Sequence, residues 1–190
     1  MTGAGFLMFE FKQIATLKQK GYTDEEIRSK VLDENIFQFR KMSSIKRAFP
    51  YLLKRINVLD DVLLQMVIEE PTNVGKVINF YSVMKTDRLF YEFMEEVLFP
   101  IIQQGAGELE RKNVNVFFAM KAEQSDFIKN LAESTEKRLK SAYLKMLLEV
   151  GIMKDLKTRE VRRLVIDDVL KKHLIKIGEE AYLKVIGEEV

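Results

Sequence analysis

Apolar residues recur at intervals of three and four along almost the whole chain, and no stretch alternates apolar and polar positions for long. The pattern predicts an all-α (mainly α) fold. A first helix is expected from about Leu7 to Lys20, ending at Gly21. Thr23-Asp24-Glu25-Glu26 then fits a capping box, in which hydroxyl and carboxylate satisfy the first free backbone N–H groups and open a helix through Ile27, Val31 and Leu32. Asp24, Glu25 and Glu26 stand where the helix dipole favours anions, so they read as structural.

The most informative stripe comes next. Ile45, Ala48, Phe49, Leu52, Leu53 and Ile56 follow helical spacing and form one apolar flank, with Lys46, Arg47 and Lys54 opposite. Ser43 or Ser44 is the expected N-cap. That would gather hydroxyls, backbone N–H groups and cations at the helix start, as phosphate binding requires. Pro50 predicts a bend or break near Phe49, because an internal proline removes a hydrogen bond and costs about 3 kcal/mol.

A helix from Asp60 to Glu70 should stop at Pro71, with Thr72 capping another through Val77, Ile78, Tyr81 and Met84. From about Asp87 a further helix carries Leu89, Phe90, Phe93, Met94, Val97 and Leu98. Gln103-Gln104-Gly105-Ala106-Gly107 is the expected linker. It would separate a helical subdomain at 1–104, containing a helix-turn-helix-like basic helix, from a second at 108–190.

In the second half, Asn113 or Asn115 is expected to cap a helix through Phe117, Phe118 and Met120, followed by a short one near Phe127 to Leu131. Ser134-Thr135-Glu136-Lys137-Arg138 then follows the same logic as Ser43-Ser44-Ile45-Lys46-Arg47. Its apolar flank of Leu139, Ala142, Tyr143, Met146, Leu147 and Val150 ends at Gly151. The basic stretch from Ile152, with β-prone Leu164-Val165-Ile166, leaves room for one short β-hairpin. A helix, a glycine and two strands joined by a basic turn describe a winged-helix module, with the helix set for the major groove and the wing for the backbone. Asp167 should cap a helix to about Ile177, Gly178 should end it, and a last helix is expected around Tyr182 to Ile186.

Composition narrows the class. A chain of 190 residues, 47% hydrophobic and 32% charged, should bury about 70% of its unfolded surface without a metal or disulfide. It has no cysteine, which excludes disulfides, thiolate metal sites and thiol nucleophiles and fits a reducing compartment. The first residues lack a basic start, and Glu10 interrupts the apolar stretch too early for a signal peptide. The longest uncharged run, Val97 to Gly107, is far short of the ~18 to 20 residues that span a bilayer. A cytoplasmic protein without membrane association is expected.

Net charge is only +2, yet it is unevenly spread. Met1 to Asn57 holds 11 basic and 6 acidic residues, Val58 to Glu110 holds 3 and 10, and Arg111 to Val190 holds 17 and 13. Between Asn35 and Leu59 there are six basic residues and no acidic one. Such asymmetry suggests that the ends face a polyanion while the middle faces something else.

Candidate chemistry is sparse. His173 has no second histidine and no cysteine to work with. Adjacent carboxylates such as Asp60-Asp61, Glu95-Glu96 and Asp167-Asp168 project to different sides of a helix and read as solvated faces or caps. Only convergence of distant carboxylates would leave room for metal chemistry. No catalytic residue and no cofactor is expected. Phe37, Phe39 and Tyr51 flank the basic stretch; core packing claims them ahead of stacking on bases.

The order and spacing of several motifs resemble the BrxA family of the bacteriophage-exclusion (BREX) defence systems, over nearly the whole chain. They are Gly21-Tyr22-Thr23-Asp24-Glu25-Glu26-Ile27, Ser44-Ile45-Lys46-Arg47 leading to Leu53-Lys54-Arg55, and Lys85-Thr86-Asp87-Arg88-Leu89 with Phe93 and Glu96. Lys121-Ala122-Glu123-Gln124-Ser125, and Glu133-Ser134-Thr135 with Leu147-Leu148-Glu149-Val150-Gly151, complete the likeness. The resemblance implies an all-helical protein with helix-turn-helix and winged-helix-like parts. It further implies DNA binding beside the methyltransferase, ATPase and phosphatase-like components of the defence system, and brings no catalytic residues.

Double-stranded DNA and other BREX components are therefore the expected partners. The phosphate contacts are expected from Arg40, Lys41, Ser43, Ser44, Lys46, Arg47, Lys54 and Arg55, and from Lys137, Arg138, Lys140, Lys145, Arg162 and Arg163. Two other readings stay open: a protein adaptor whose acidic middle docks a partner, and an RNA-binding factor.

Overall fold

The computed structural model describes residues 5–105 and 107–189. Met1–Ala4, part of the stretch on which the expected absence of a signal peptide rests, Ala106 of the expected linker, and Val190 lie outside the described residues. The fold is mainly α, as the periodicity predicts. It divides into two compact units, the first closing at Asp87 and the second opening at Arg88. The glycine-containing stretch at 103–107 thus falls inside the second unit.

In the first unit, α1 (Met8–Gln19) buries Phe11, Ile14 and Ala15 and is followed by Gly21 at φ 85. α2 (Asp24–Leu32) opens on the expected capping box: the Thr23 hydroxyl accepts from the Glu26 N–H, and the Glu26 carboxylate accepts from the Thr23 N–H at 2.8 Å. α3 (Met42–Ile56) buries Ile45, Ala48, Phe49, Leu52 and Ile56. It runs unbroken through Pro50, which sits on the exposed side, where the missing hydrogen bond leaves a carbonyl that water can reach. α4 (Asp61–Glu69) is capped by Asp60, whose carboxylate accepts from the Leu63 N–H at 2.8 Å.

α5 (Thr72–Thr86) follows Pro71 and begins at Thr72, without the side-chain cap expected of that threonine. It is buried at nearly every position from Val74 to Met84, so it is the central rod on which α1, α3 and α4 pack. Its polar groups are used inside: the Ser82 hydroxyl donates to the Asn79 carbonyl at 2.6 Å, and the Asn79 side chain donates to the Phe6 carbonyl at 2.8 Å.

In the second unit, α6 (Arg88–Phe93), a π-helical turn (Met94–Leu98) and α7 (Phe99–Gln103) follow one another without a gap. Then come β1 (Gly107–Glu108), α8 (Arg111–Gln124), α9 (Asp126–Lys129), α10 (Glu133–Val150), β2 (Glu160–Val161), α11 (Asp168–Lys176) and α12 (Glu180–Val185). The core is aromatic. Phe90 meets Tyr143 edge-on at 4.7 Å, and Phe93 meets Phe117 at 5.3 Å.

Local signals behave as expected at three ends here: Gly151 (φ 92) closes α10, Asp167 caps α11 by accepting from Val169 and Leu170 N–H, and Gly178 (φ 78) follows α11. Two caps differ from expectation. α8 is capped by Glu110, to whose N–H Asn113 lends its side-chain oxygen at 3.0 Å, and α10 starts after Ala132, so Ser134 already lies within the helix.

The strand structure is minimal. β2 pairs antiparallel with β1, Gly107 opposite Val161, and on its other edge makes a single bridge to Met153. The hairpin expected after Gly151 therefore exists, with its turn over 155–159. Its second strand is Glu160–Val161 and not Leu164-Val165-Ile166, whose outer members are buried while Val165 is exposed.

Candidate nucleic-acid interface

Two helices present the predicted cations. On α3, Ser43, Lys46, Arg47, Pro50 and Lys54 occupy the exposed side, opposite the apolar stripe. The loop before it is folded tightly: Asn35 and Gln38 take positive φ, and the Asn35 side chain clamps Phe39, donating to its carbonyl at 3.0 Å and accepting from its N–H at 3.1 Å. That clamp delivers Arg40 and Lys41, both exposed, to the start of α3. Among the described residues, Arg40, Lys41, Lys46 and Arg47 have no acidic partner within ion-pair distance. Lys54 donates to the Thr86 carbonyl, at the end of α5, at 3.1 Å.

Three expectations on this helix are corrected. Ser43 and Ser44 do not cap it, because the helix begins at Met42 with Lys41 at the cap position and no side-chain cap bond. Arg55 is not a surface cation. It falls on the apolar side of α3, 1% exposed, and its Nη1 donates to the carbonyls of Gly5 at 3.0 Å and Phe6 at 3.4 Å. Burial pulls its pKa down to about 10, against the opposing pull of the Asp87 carboxylate. Phe37 is buried and packs on Phe39 at 5.9 Å, as core spacing suggested, whereas Tyr51 is 37% exposed.

On α10 the exposed line runs through Ser134, Lys137, Arg138, Ser141 and Lys145. Here the cations have company. Lys137 pairs with Glu133 at 2.6 Å one turn back, and Lys140 pairs with Glu136 at 2.5 Å. Lys140 also donates to Asn115 at 2.9 Å and lies over the Phe118 ring. Arg138 donates only to its own helix, at the Ser134 carbonyl, and Lys145 is exposed. Arg162 donates to the Gly151 carbonyl at 2.9 Å, which fixes it at the end of α10. Arg163 instead lies between Glu188 and Glu189, at 3.6 and 3.7 Å.

The hairpin turn adds cations that the candidate set omits, Lys157 and Arg159. Asp155 shapes it, accepting from the N–H groups of Lys157 at 2.7 Å and Thr158 at 2.9 Å and from the Thr158 hydroxyl. Those hydrogen bonds, Thr158's first, hold its carboxyl below the usual range. An aspartate two and three residues ahead of its N–H partners is a local turn signal that the sequence carries.

Among the described residues, no three or more histidine, cysteine or carboxylate side chains gather as a metal would need. No helix there is long and apolar enough to cross a membrane.

Comparison with known proteins places these features. The family model described as BrxA matches residues 1–178. The BREX protein BrxA of Bacillus cereus (strain H3081.97) is 33% identical over 184 residues, covering 96% of this chain and 92% of that protein. The BREX protein BrxA of Paramagnetospirillum magneticum (strain ATCC 700264 / AMB-1) is 23% identical over 184 residues, covering 97% and 92%. A crystal structure of an uncharacterized protein from Magnetospirillum magneticum shares the fold, with a TM-score of 0.83 and 23% identity over 97% of this chain and 95% of that one.

Proposed function

The chain belongs to the BrxA family of the BREX phage-defence systems, and from that premise we propose that it is a cytoplasmic, non-enzymatic accessory protein that binds double-stranded DNA mainly through phosphates. The observation that carries this reading is the acid-free outer side of α3. Lys46 and Arg47 stand there exposed and without a carboxylate partner among the described residues, and Arg40 and Lys41 stand at its start. Cations not already neutralised are the ones that can displace counterions from a polyanion.

The order of elements in the second unit supports a winged-helix-like role. A strand, two helices, a long helix and a hairpin whose second strand lies between its own partner and β1 follow the arrangement in which the long helix reads a groove and the hairpin turn touches the backbone. Arg138, Lys145 and Arg162 from α10 and its end, with Lys157 and Arg159 from the turn, are the contacts this reading uses. Phosphate contacts position the protein without specifying a base sequence.

The test is retention of duplex DNA across a salt series by the unchanged protein and by Lys46→Glu/Arg47→Glu/Lys54→Glu. About six neutralised phosphates give a slope of log K against log salt near −5. The triple variant should lose on the order of 100-fold in affinity at low salt and flatten that slope by about 2 to 3. A slope of zero, or unchanged retention by the variant, removes the DNA reading.

A further inference from the structure

Within the second unit a cleft of about 610 Å³ opens between the π-helical turn and α7 on one side and α8 on the other. We infer that this cleft docks a short, basic, amphipathic helix of a partner protein. Polar and apolar residues share its lining, and the apolar part is Val97, Ile101 and Phe117 with Val116 and Met120. The last two stand one turn apart on α8 and are 55% and 49% exposed, so large aliphatic surface faces water where a partner would cover it.

The cleft is built by backbone features of this unit. The π-helical turn widens the helix where Glu96 and Val97 enter the lining, and such turns recur at functional sites. Gly107 lets β1 close the end of the cleft, since a Cβ there would stand 2.8 Å from Ile101 Cγ2. α8 has separate faces for separate duties. Phe118 packs on Tyr143 at 5.9 Å and Asn115 receives Lys140, both from α10, whereas Asn113, Val116 and Met120 line the cleft.

Charge selects the occupant. Glu96, Glu108 and Glu110 edge the cleft; Glu96 is bound by Lys121 at 2.6 Å, and the one lysine among the lining residues, Lys112, is held by Glu110 at 3.0 Å. Glu108 is exposed and has no cationic partner among the described residues. With Glu96 and Glu110 each already holding a lysine, the unpaired Glu108 leaves the edge net negative, which disfavours phosphate and favours Lys or Arg. An apolar floor two helical positions long, with an acidic edge, suits a helix that places aliphatic anchors at i and i+4 and cations beside them. A volume within the roughly 300 to 1,000 Å³ of ordinary binding clefts admits a few such side chains.

The inference is independent of the DNA reading, and the experiment keeps the two apart. The full-length protein is titrated into a fluorescein-labelled model helix built of Leu and Lys, with leucines on one face, and into its Leu-Glu counterpart. Amide shift mapping locates the site. Expected are shifts confined to 96–101 and 107–120 and at least about tenfold weaker binding of the Leu-Glu peptide. Val116→Lys/Met120→Lys should weaken Leu-Lys binding by about tenfold, and Glu108→Lys by about threefold, with melting and DNA retention unchanged. Exposure of all three side chains keeps these variants foldable. Failure of the Leu-Lys peptide to bind, shifts elsewhere, or equal binding by all variants overturns the proposal. Self-association that Val116→Lys/Met120→Lys abolishes also overturns it, by assigning the cleft to a second copy of this chain.

Discussion

α3 and α10 are written in the same way, with hydroxyl residues and a Lys-Arg pair near the start and apolar residues along one flank, yet they hold their cations differently. On α3 no acidic residue lies within reach along the chain, and Lys46 and Arg47 stand free of carboxylates among the described residues. On α10, Glu133 and Glu136 sit one turn before Lys137 and Lys140 and bind both. Availability to a polyanion is therefore decided by the residue four positions back, not by the number of cations on the helix. α3 carries the opposite lesson as well. Arg55, expected in the same surface set about two and a half turns beyond Lys46, belongs to the core because its position on the wheel falls beside Ala48 and Leu52.

The sharpest way to break this contrast is Arg55→Met. If Arg55 is a core residue, its loss strands the Gly5 carbonyl, leaves the Phe6 carbonyl to Asn79 alone, and leaves the buried Asp87 charge without its cation. Stability should then fall by about 3 to 5 kcal/mol, read from denaturant midpoints. The salt slope of DNA retention by the folded fraction should not move. A flattened slope with an unchanged midpoint would return Arg55 to the interface.

A smaller effect sharpens the α10 side. Glu133→Gln/Glu136→Gln frees two lysines, so retention at low salt should rise several-fold and the slope should steepen by up to about 1.8, at 0.9 per freed cation. No change would mean that α10 does not face the polymer.

The smallest concerns the support beneath α3. Asp24, paired with Lys18 and accepting from Asn57 at 2.8 Å, has its pKa lowered, chiefly by the Lys18 hydrogen bond and against burial. A carboxyl lowered on folding stabilises above its unfolded value near 3.8 and loses that contribution as pH falls through the folded value. Asp24→Asn should lower the neutral plateau slightly and leave stability at the acid end unchanged, so that the acid limb becomes shallower. An identical acid limb would show that the pair contributes nothing.

Much of this architecture was legible in the chain because helix signals are local. Thr23 with Glu26, Asp167, and the glycines at 21, 151 and 178 each act within a few residues of the end they mark. Errors cluster where the deciding partner is distant or the signal has no period. Arg55 is buried by acceptors some fifty positions earlier in the chain. β2 is a strand because it finds β1, far upstream, and two residues are too few to show alternation. The π-helical turn has no spacing of its own that a 3.6-residue pattern would betray. Ser43 and Ser44 misled because the cap position falls at Lys41, two residues before the first of them. Of the candidate site, residue types and helices were readable; which cations remain unpaired was not.

The grip of Arg55 and Asn79 on the carbonyls of Gly5 and Phe6 also bears on how this protein is handled. Two interior side chains, from α3 and from α5, terminate on the few residues that precede α1, so the leading segment is a keystone and not a dispensable lead-in. Trimming a clone to begin at α1 would unseat both at once, and a shortened version that precipitates would report a lost anchor, with its surface cations untouched.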